Sequence, residues 1–185
     1  MARHVCPVWV GYFLASPLRK LSQNPKAILN PYVREGMIAL DIGCAMGFFS
    51  LPLAERVGPA GKVVCLDVQE KMTKKLEKRA RKAGLLDRIE TRICPPGSLG
   101  IKDLKEQIDF GLAFSVVHEV PDAQRFFSEL YETIKCGGKV LVAEPKGHVS
   151  REDFEVSVSI AGKIGFVIDN RPNIARSRTV IVTKE

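Results

Sequence analysis

Nine residues, Ala39-Leu40-Asp41-Ile42-Gly43-Cys44-Ala45-Met46-Gly47, constrain this chain more than any other stretch. Just before the turn, Met37-Ile38-Ala39-Leu40 is a short apolar run suited to a strand buried on both faces, and Phe48 to Val57 after it carries apolar residues at helical spacing. The unit predicted is strand, glycine turn, helix. Gly43 and Gly47 tolerate backbone angles that a side chain forbids, and a missing Cβ lets a ligand approach the main chain closely. Asp41 adds a carboxylate beside the turn. A second apolar strand, Lys62-Val63-Val64-Cys65-Leu66, ends in Asp67, whose carboxylate can accept hydrogen bonds from both hydroxyls of a ribose. A nucleoside cofactor is therefore expected at this turn.

Asp67 lies about 20 positions beyond Gly47, which is also where a nicotinamide-binding fold carries its acidic residue. The glycine pattern separates the two cases. The dinucleotide fingerprint G-x-G-x-x-G cradles a pyrophosphate at a helix N-terminus, whereas this chain has D-x-G-x-x-x-G from Asp41 to Gly47. A carboxylate there repels a pyrophosphate and suits a ligand with a positive end, such as the amino group of a methionine moiety, directly or through water. An NAD-dependent oxidoreductase stays open as an alternative.

The stretch ALDIGCAMG, followed by Val63-Val64-Cys65-Leu66-Asp67-Val68, resembles motif I and the acidic second motif of class I S-adenosylmethionine-dependent methyltransferases. Ile108 to Pro145, with His118-Glu119-Val120-Pro121-Asp122, Lys135-Cys136-Gly137-Gly138-Lys139 and Glu144-Pro145, is similar to the ubiquinone and menaquinone methyltransferase-like (type 11) branch. The likeness runs from about residue 33 to the C-terminus and rests on several motifs in order. It implies an α/β, Rossmann-like seven-stranded sheet in the order 3-2-1-4-5-7-6, with the last strand antiparallel and helices on both faces. It also implies S-adenosylmethionine as cofactor and methyl transfer to a small-molecule acceptor by in-line displacement, releasing S-adenosylhomocysteine. The cofactor-binding residues it implies are Asp41, Gly43, Cys44, Ala45, Gly47, Asp67, Val68, Cys94, Pro95 and Ser115. Two departures stand out. The family usually has glycine at the position of Ala45, so the main chain there must take angles a Cβ tolerates or accept strain. It usually also has an aspartate for the adenine amine, and neither Cys94 nor Pro95 supplies one, leaving main-chain groups and apolar packing.

Further along, Arg88 to Ile93 reads as a third strand, broken by Cys94-Pro95-Pro96-Gly97, and Ile108 to Ser115 as a fourth. The loop from Phe114 to Pro121 leaves the C-terminal end of that strand, where open α/β sheets bind ligands. His118 is its candidate acid-base residue, because imidazole titrates near neutral pH; ordering the loop by hydrogen bonding is the alternative role. Pro121 is expected in the first turn of a helix to about Lys135, stopped by Gly137-Gly138, with a central strand over Lys139 to Ala143. A helix near Arg151 to Ala161 and strands at Ile164 to Ile168 and Arg178 to Thr183 complete the pattern. So short a link between the last two strands forces them antiparallel, since a parallel return needs a crossover of a dozen or more residues.

At 185 residues, 45% hydrophobic and 26% charged, the chain is expected to be a single domain over residues 1–185, without a membrane span. Residues 1–30 are expected to form a helical lid or cap, with Trp9, Tyr12 and Phe13 over cofactor and acceptor or else packed on the sheet. Arg3 and His4 precede the apolar stretch Val5 to Ala15, but Pro7 and Gly11 interrupt it and no small-x-small cleavage site follows, so a cytoplasmic location is expected. Five cysteines without C-x-x-C pairs support neither a disulfide framework nor a zinc site, and no metal is expected. The helix Glu70 to Ala83 is predicted to place Met72, Leu76, Ala80 and Ala83 on one stripe and Lys71, Lys74, Lys75, Lys78 and Lys82 on the other. That basic stripe, the main source of the net charge of +7, keeps a nucleic-acid methyltransferase among the alternatives, although it lacks interleaved aromatics for base stacking. A non-catalytic cofactor-binding module is the third.

Overall fold

The apolar runs fold into five α-helices and seven strands among residues 23–185, which are the residues described by the computed structural model. The expected lid residues Trp9, Tyr12 and Phe13 lie outside them. The chain divides into two compact units, which meet in sequence between Cys94 and Pro95.

The first unit contains α1 (Pro25–Leu29), β1 (Ile38–Ile42), α2 (Ser50–Val57), β2 (Lys62–Asp67), α3 (Glu70–Lys82) and β3 (Ile89–Ile93). The strand β2 runs parallel to both neighbours, with Asp41 opposite Cys65 and Asp67 opposite Ile93. Parallel strands joined by helices are covered on both faces, and the side chains of Ala39, Leu40, Val63, Val64, Cys65 and Leu66 are all buried accordingly. Helix α2 buries Leu53, Ala54 and Val57, and α3 buries Met72, Leu76 and Ala80. The α3 lysines 71, 74, 78 and 82 are exposed, as helical periodicity predicted, while Lys75, expected with them, is half-buried. Ala83, expected on the apolar stripe, is exposed instead. It caps the helix, its N–H reaching back to the Arg79 and Ala80 carbonyls, and Gly84 turns the chain away at φ +67°. The strand β1 extends beyond the apolar run, so Asp41 belongs to the strand rather than to the turn.

The second unit contains β4 (Ile108–Phe114), α4 (Ala123–Thr133), β5 (Ile134–Pro145), α5 (Arg151–Ile164), β6 (Phe166–Asn170) and β7 (Ser177–Lys184). The strand β5 is parallel to β4 and antiparallel to β7, and β7 is antiparallel to β6, as the short closing link required. In chain numbering the strands form a seven-stranded sheet of order β3-β2-β1-β4-β5-β7-β6, the expected order.

Two local expectations are corrected in this unit. Pro121 precedes the helix: Asp122 is the cap residue, and its side chain accepts the Arg125 N–H at 2.9 Å. Helix α4 also ends at Thr133, and β5 starts at once. Ile108 pairs with Ile134 but Phe110 with Lys139, so the extra residues bulge out of the ladder, with Gly137 at φ +76°. A Cβ at Gly138 would lie 2.7 Å from Ile134 Cγ2, so this glycine pair serves a bulge within the strand rather than a helix stop.

Candidate functional site

In the first unit the segment between β1 and α2 is bound to the end of β2. The Gly43 and Cys44 N–H groups both donate to the Leu66 carbonyl at 2.9 Å, and the Ala45 N–H donates to Asp67 Oδ2 at 2.9 Å. Gly43 is exposed at φ +72°, which leaves its main chain open to a ligand. Ala45 takes φ +46°, so the departure from glycine is met by left-handed backbone carrying a Cβ. Gly47, at φ +82°, also has a packing reason to be glycine. A Cβ there would sit 2.4 Å from Leu76 Cδ1, so the missing side chain makes room for a core leucine of α3. An Arg79 guanidinium N–H donates to the Met46 carbonyl on the same turn.

Asp67 is only 8% exposed, and its Oδ1 accepts the Gln69 N–H at 2.8 Å. Ala45 donates to the other oxygen, and the carboxylate keeps capacity for a further donor. Burial pushes its carboxyl above the ordinary aspartate value, while N–H groups of Gln69, Ala45 and Val68 hold it partly down. Asp41 is buried at the end of β1 and accepts the Ser50 hydroxyl at 2.5 Å, which ties it to the start of α2. The Cys44 thiol is buried, and its hydrogen bond with Cys65, together with burial, pushes its pKa well up. Beside Asp67 the surface is apolar: Val68 is 56% exposed, and Ile93, opposite Asp67 in the sheet register, is 47% exposed. The Cys94 N–H donates to the Asp67 carbonyl at 2.9 Å. A carboxylate with spare acceptor capacity beside an apolar surface can take the diol of a nucleoside and the face of its base. Sequence reasoning missed Ile93, whose place at the exposed end of β3 was the available signal.

In the second unit, Pro95 is exposed on a loop whose far end is fixed by Glu129, which accepts the Ser98 hydroxyl at 2.9 Å and the Leu99 N–H at 2.6 Å. At the end of β4, Ser115 turns the chain at φ +60° and its N–H donates to the Ala143 carbonyl at 2.7 Å. The next residues converge on Glu144, 2% exposed near the end of β5. Glu144 Oε1 accepts the Val116 N–H at 3.1 Å and the Val117 N–H at 2.9 Å, and Oε2 bonds His118 Nδ1. An ionised carboxylate can only accept, so a neutral His118 carries its proton on Nδ1 and its basic lone pair on Nε2. That nitrogen lies 4.0 Å from Glu119 Oε1, and the His148 ring packs edge-on with centroids 6.3 Å apart. Glu144 was not singled out from sequence as a site residue. Its signal was a pattern shared with Asp67, an apolar strand run ending in an acid.

The predicted residues thus fall into two groups. The first unit gathers Asp41, Gly43, Cys44, Ala45, Gly47, Asp67, Val68 and Cys94 around the ends of β1 and β2. The second places Ser115 and His118 on one loop after β4 and Pro95 on another.

Residues 34–176 match a family described as a methyltransferase domain. The chain is similar to a demethylmenaquinone methyltransferase of Lactobacillus johnsonii, 34% identical over 115 residues, which covers 60% of this chain and 45% of that protein. An arsenite methyltransferase of Halobacterium salinarum is 30% identical over 121 residues, covering 65% of this chain and 30% of that protein. The chain therefore spans less than half the length of these curated relatives. A solved S-adenosylmethionine-dependent methyltransferase from Aquifex aeolicus has the same fold, with a TM-score of 0.84 at 23% identity, covering 98% of this chain and 100% of that one.

Proposed function

This chain belongs to the methyltransferase-domain family, and from that premise we propose that it transfers the methyl group of S-adenosylmethionine to a small-molecule acceptor. The observation that carries the proposal is Asp67, a buried carboxylate with capacity for a further donor, beside the exposed main chain of Gly43 and the apolar surface of Val68 and Ile93. These residues fit the cofactor. Asp67 accepts from the ribose hydroxyls, Val68, Ile93 and Cys94 flank the adenine, and Gly43 presents its main chain to the methionine end. Asp41, buried against Ser50, makes the turn unsuited to a pyrophosphate, which weighs against a nicotinamide cofactor.

When bound, S-adenosylmethionine supplies a methyl group on a sulfonium, and in-line displacement leaves S-adenosylhomocysteine. The chain contributes positioning and exclusion of water. His118 takes a proton from the acceptor on Nε2, while Glu144 fixes the tautomer and stabilises the imidazolium that forms. A small acceptor is supported by the two relatives, whose names refer to demethylmenaquinone and arsenite. The basic face of α3 carries no aromatic residue, and its Lys74 pairs with Glu70 at 3.0 Å, so a nucleic acid is not favoured. A cytoplasmic location fits the four free cysteines among the described residues, where no helix is long and apolar enough to cross a membrane.

Incubation with methyl-labelled S-adenosylmethionine and a panel of small molecules and short RNAs tests the proposal. Label in a small molecule, with equimolar S-adenosylhomocysteine, is the expected result. Label entering only RNA, or no product above spontaneous hydrolysis, contradicts it.

A further inference from the structure

The second unit contains a cavity of about 370 Å³ that the methyl-transfer proposal does not use. Its lining brings together Lys146, Arg151, Arg171 and Arg178, and Glu155 is the one carboxylate among the lining residues. Arg171 is already engaged, forming a two-pronged pair with Glu155 at 2.8 Å on both prongs. The other three cations have no carboxylate partner among the described residues. Arg178 donates Nε–H to the Val149 carbonyl at 3.0 Å, which leaves the outer guanidinium nitrogens for a ligand. Glu144, opposite Arg178 in the sheet register, is committed to Val116, Val117 and His118. Asp153, on the first turn of α5, is held by the Ser150 hydroxyl at 2.8 Å.

Two of the lining residues are buried. Phe154 is 2% exposed and Thr179 is 8% exposed, and the Thr179 hydroxyl donates to the Pro172 carbonyl. Like charges gathered around one concavity repel one another, a cost that falls when an anion enters. The volume is that of a small-molecule site rather than of a single hydration shell.

We propose that this cavity binds a small organic polyanion bearing phosphate or carboxylate groups, held by Lys146, Arg151 and Arg178, with Arg171 fixed by Glu155 as its wall. The site is independent of the S-adenosylmethionine proposal, because no residue assigned to that cofactor lines it.

Calorimetric titration of pyrophosphate and, separately, citrate into the full chain at low salt tests the site, alongside R178Q and K146Q. Lys146 is exposed and has no ion pair among the described residues, so K146Q remains informative should R178Q fail to fold. At least one probe is expected to bind with Kd below about 1 mM. Each variant should weaken it at least about tenfold, and added salt should weaken it further. Pyrophosphate alone assigns a phosphate ligand and citrate alone a carboxylate one; either supports the site. Absence of saturable binding to wild type at about ten times that concentration, or undiminished binding in both variants, overturns it.

Discussion

Asp67 and Ala45 lie 22 positions apart in the chain, yet Asp67 Oδ2 accepts the Ala45 N–H at 2.9 Å. This bond ties the cofactor-side carboxylate to the one residue of the turn that takes a left-handed angle with a side chain, φ +46°. The turn is thus held by the carboxylate that the methyl-transfer proposal assigns to a ribose.

Replacing Ala45 by glycine should stabilise the protein. Left-handed backbone costs a residue with a Cβ about 1–2 kcal/mol, and the added freedom of glycine in the unfolded chain returns part of that. A net gain of up to about 1 kcal/mol is expected, or about 2–4 °C in Tm for a chain of this size. Thermal unfolding of A45G checks it, and a lower Tm would show that the turn is unstrained.

Gly47→Ala should be destabilising by about 1–3 kcal/mol, because its Cβ would meet Leu76 Cδ1 at 2.4 Å on left-handed backbone. Leu76 is fully buried, so Leu76→Ala alone costs about 2–5 kcal/mol. The double variant should lose less than the two single losses combined, since the shortened side chain frees the space the new methyl needs. Urea unfolding of all four proteins measures the coupling, and strict additivity would mean that Leu76 is not what Gly47 accommodates.

His118→Ala should lower kcat by at least about a hundredfold with S-adenosylmethionine affinity unchanged. Glu144→Gln should lower kcat as well, because the histidine loses the carboxylate that orients it. Full turnover in His118→Ala would leave the histidine only the role of ordering its loop.

The pH dependence of cofactor binding should follow Asp67. Its carboxyl is held above the ordinary aspartate value by burial, so S-adenosylmethionine affinity should fall as pH drops through that raised value, earlier than an exposed aspartate would allow. The stability effect has the opposite sign. A carboxyl that holds its proton more tightly folded than unfolded stabilises most below the ordinary value, and that contribution is lost as pH rises to the folded one. Affinity measured against pH for wild type and Asp67→Asn, whose side chain does not titrate, checks the assignment; the same acidic fall in both would place it elsewhere.

The central fold was legible because its signals are local. Apolar runs gave strands, Gly43 marked the turn after β1, and the short link between the last two strands dictated their antiparallel pairing. The start of β5 was hidden because Ile134 and the bulge over Lys135 to Gly138 look like the tail of a helix followed by a stop; only pairing with Ile108 makes them strand. The packing role of Gly47 was hidden because Leu76, the side chain it makes room for, comes from α3, beyond the next strand. Glu144 acquires its meaning from partners 26 to 28 positions away, which no local pattern connects to it.

The most direct test of the methyl-transfer proposal is calorimetric titration of S-adenosylmethionine and of NADH into wild type and Asp67→Ala. Loss of a charge-assisted ribose contact costs about 1.5–3 kcal/mol, so S-adenosylmethionine should bind wild type and weaken at least about tenfold in the variant, with NADH binding neither. Binding of NADH in its place, or equal S-adenosylmethionine affinity in the two proteins, would contradict the assignment.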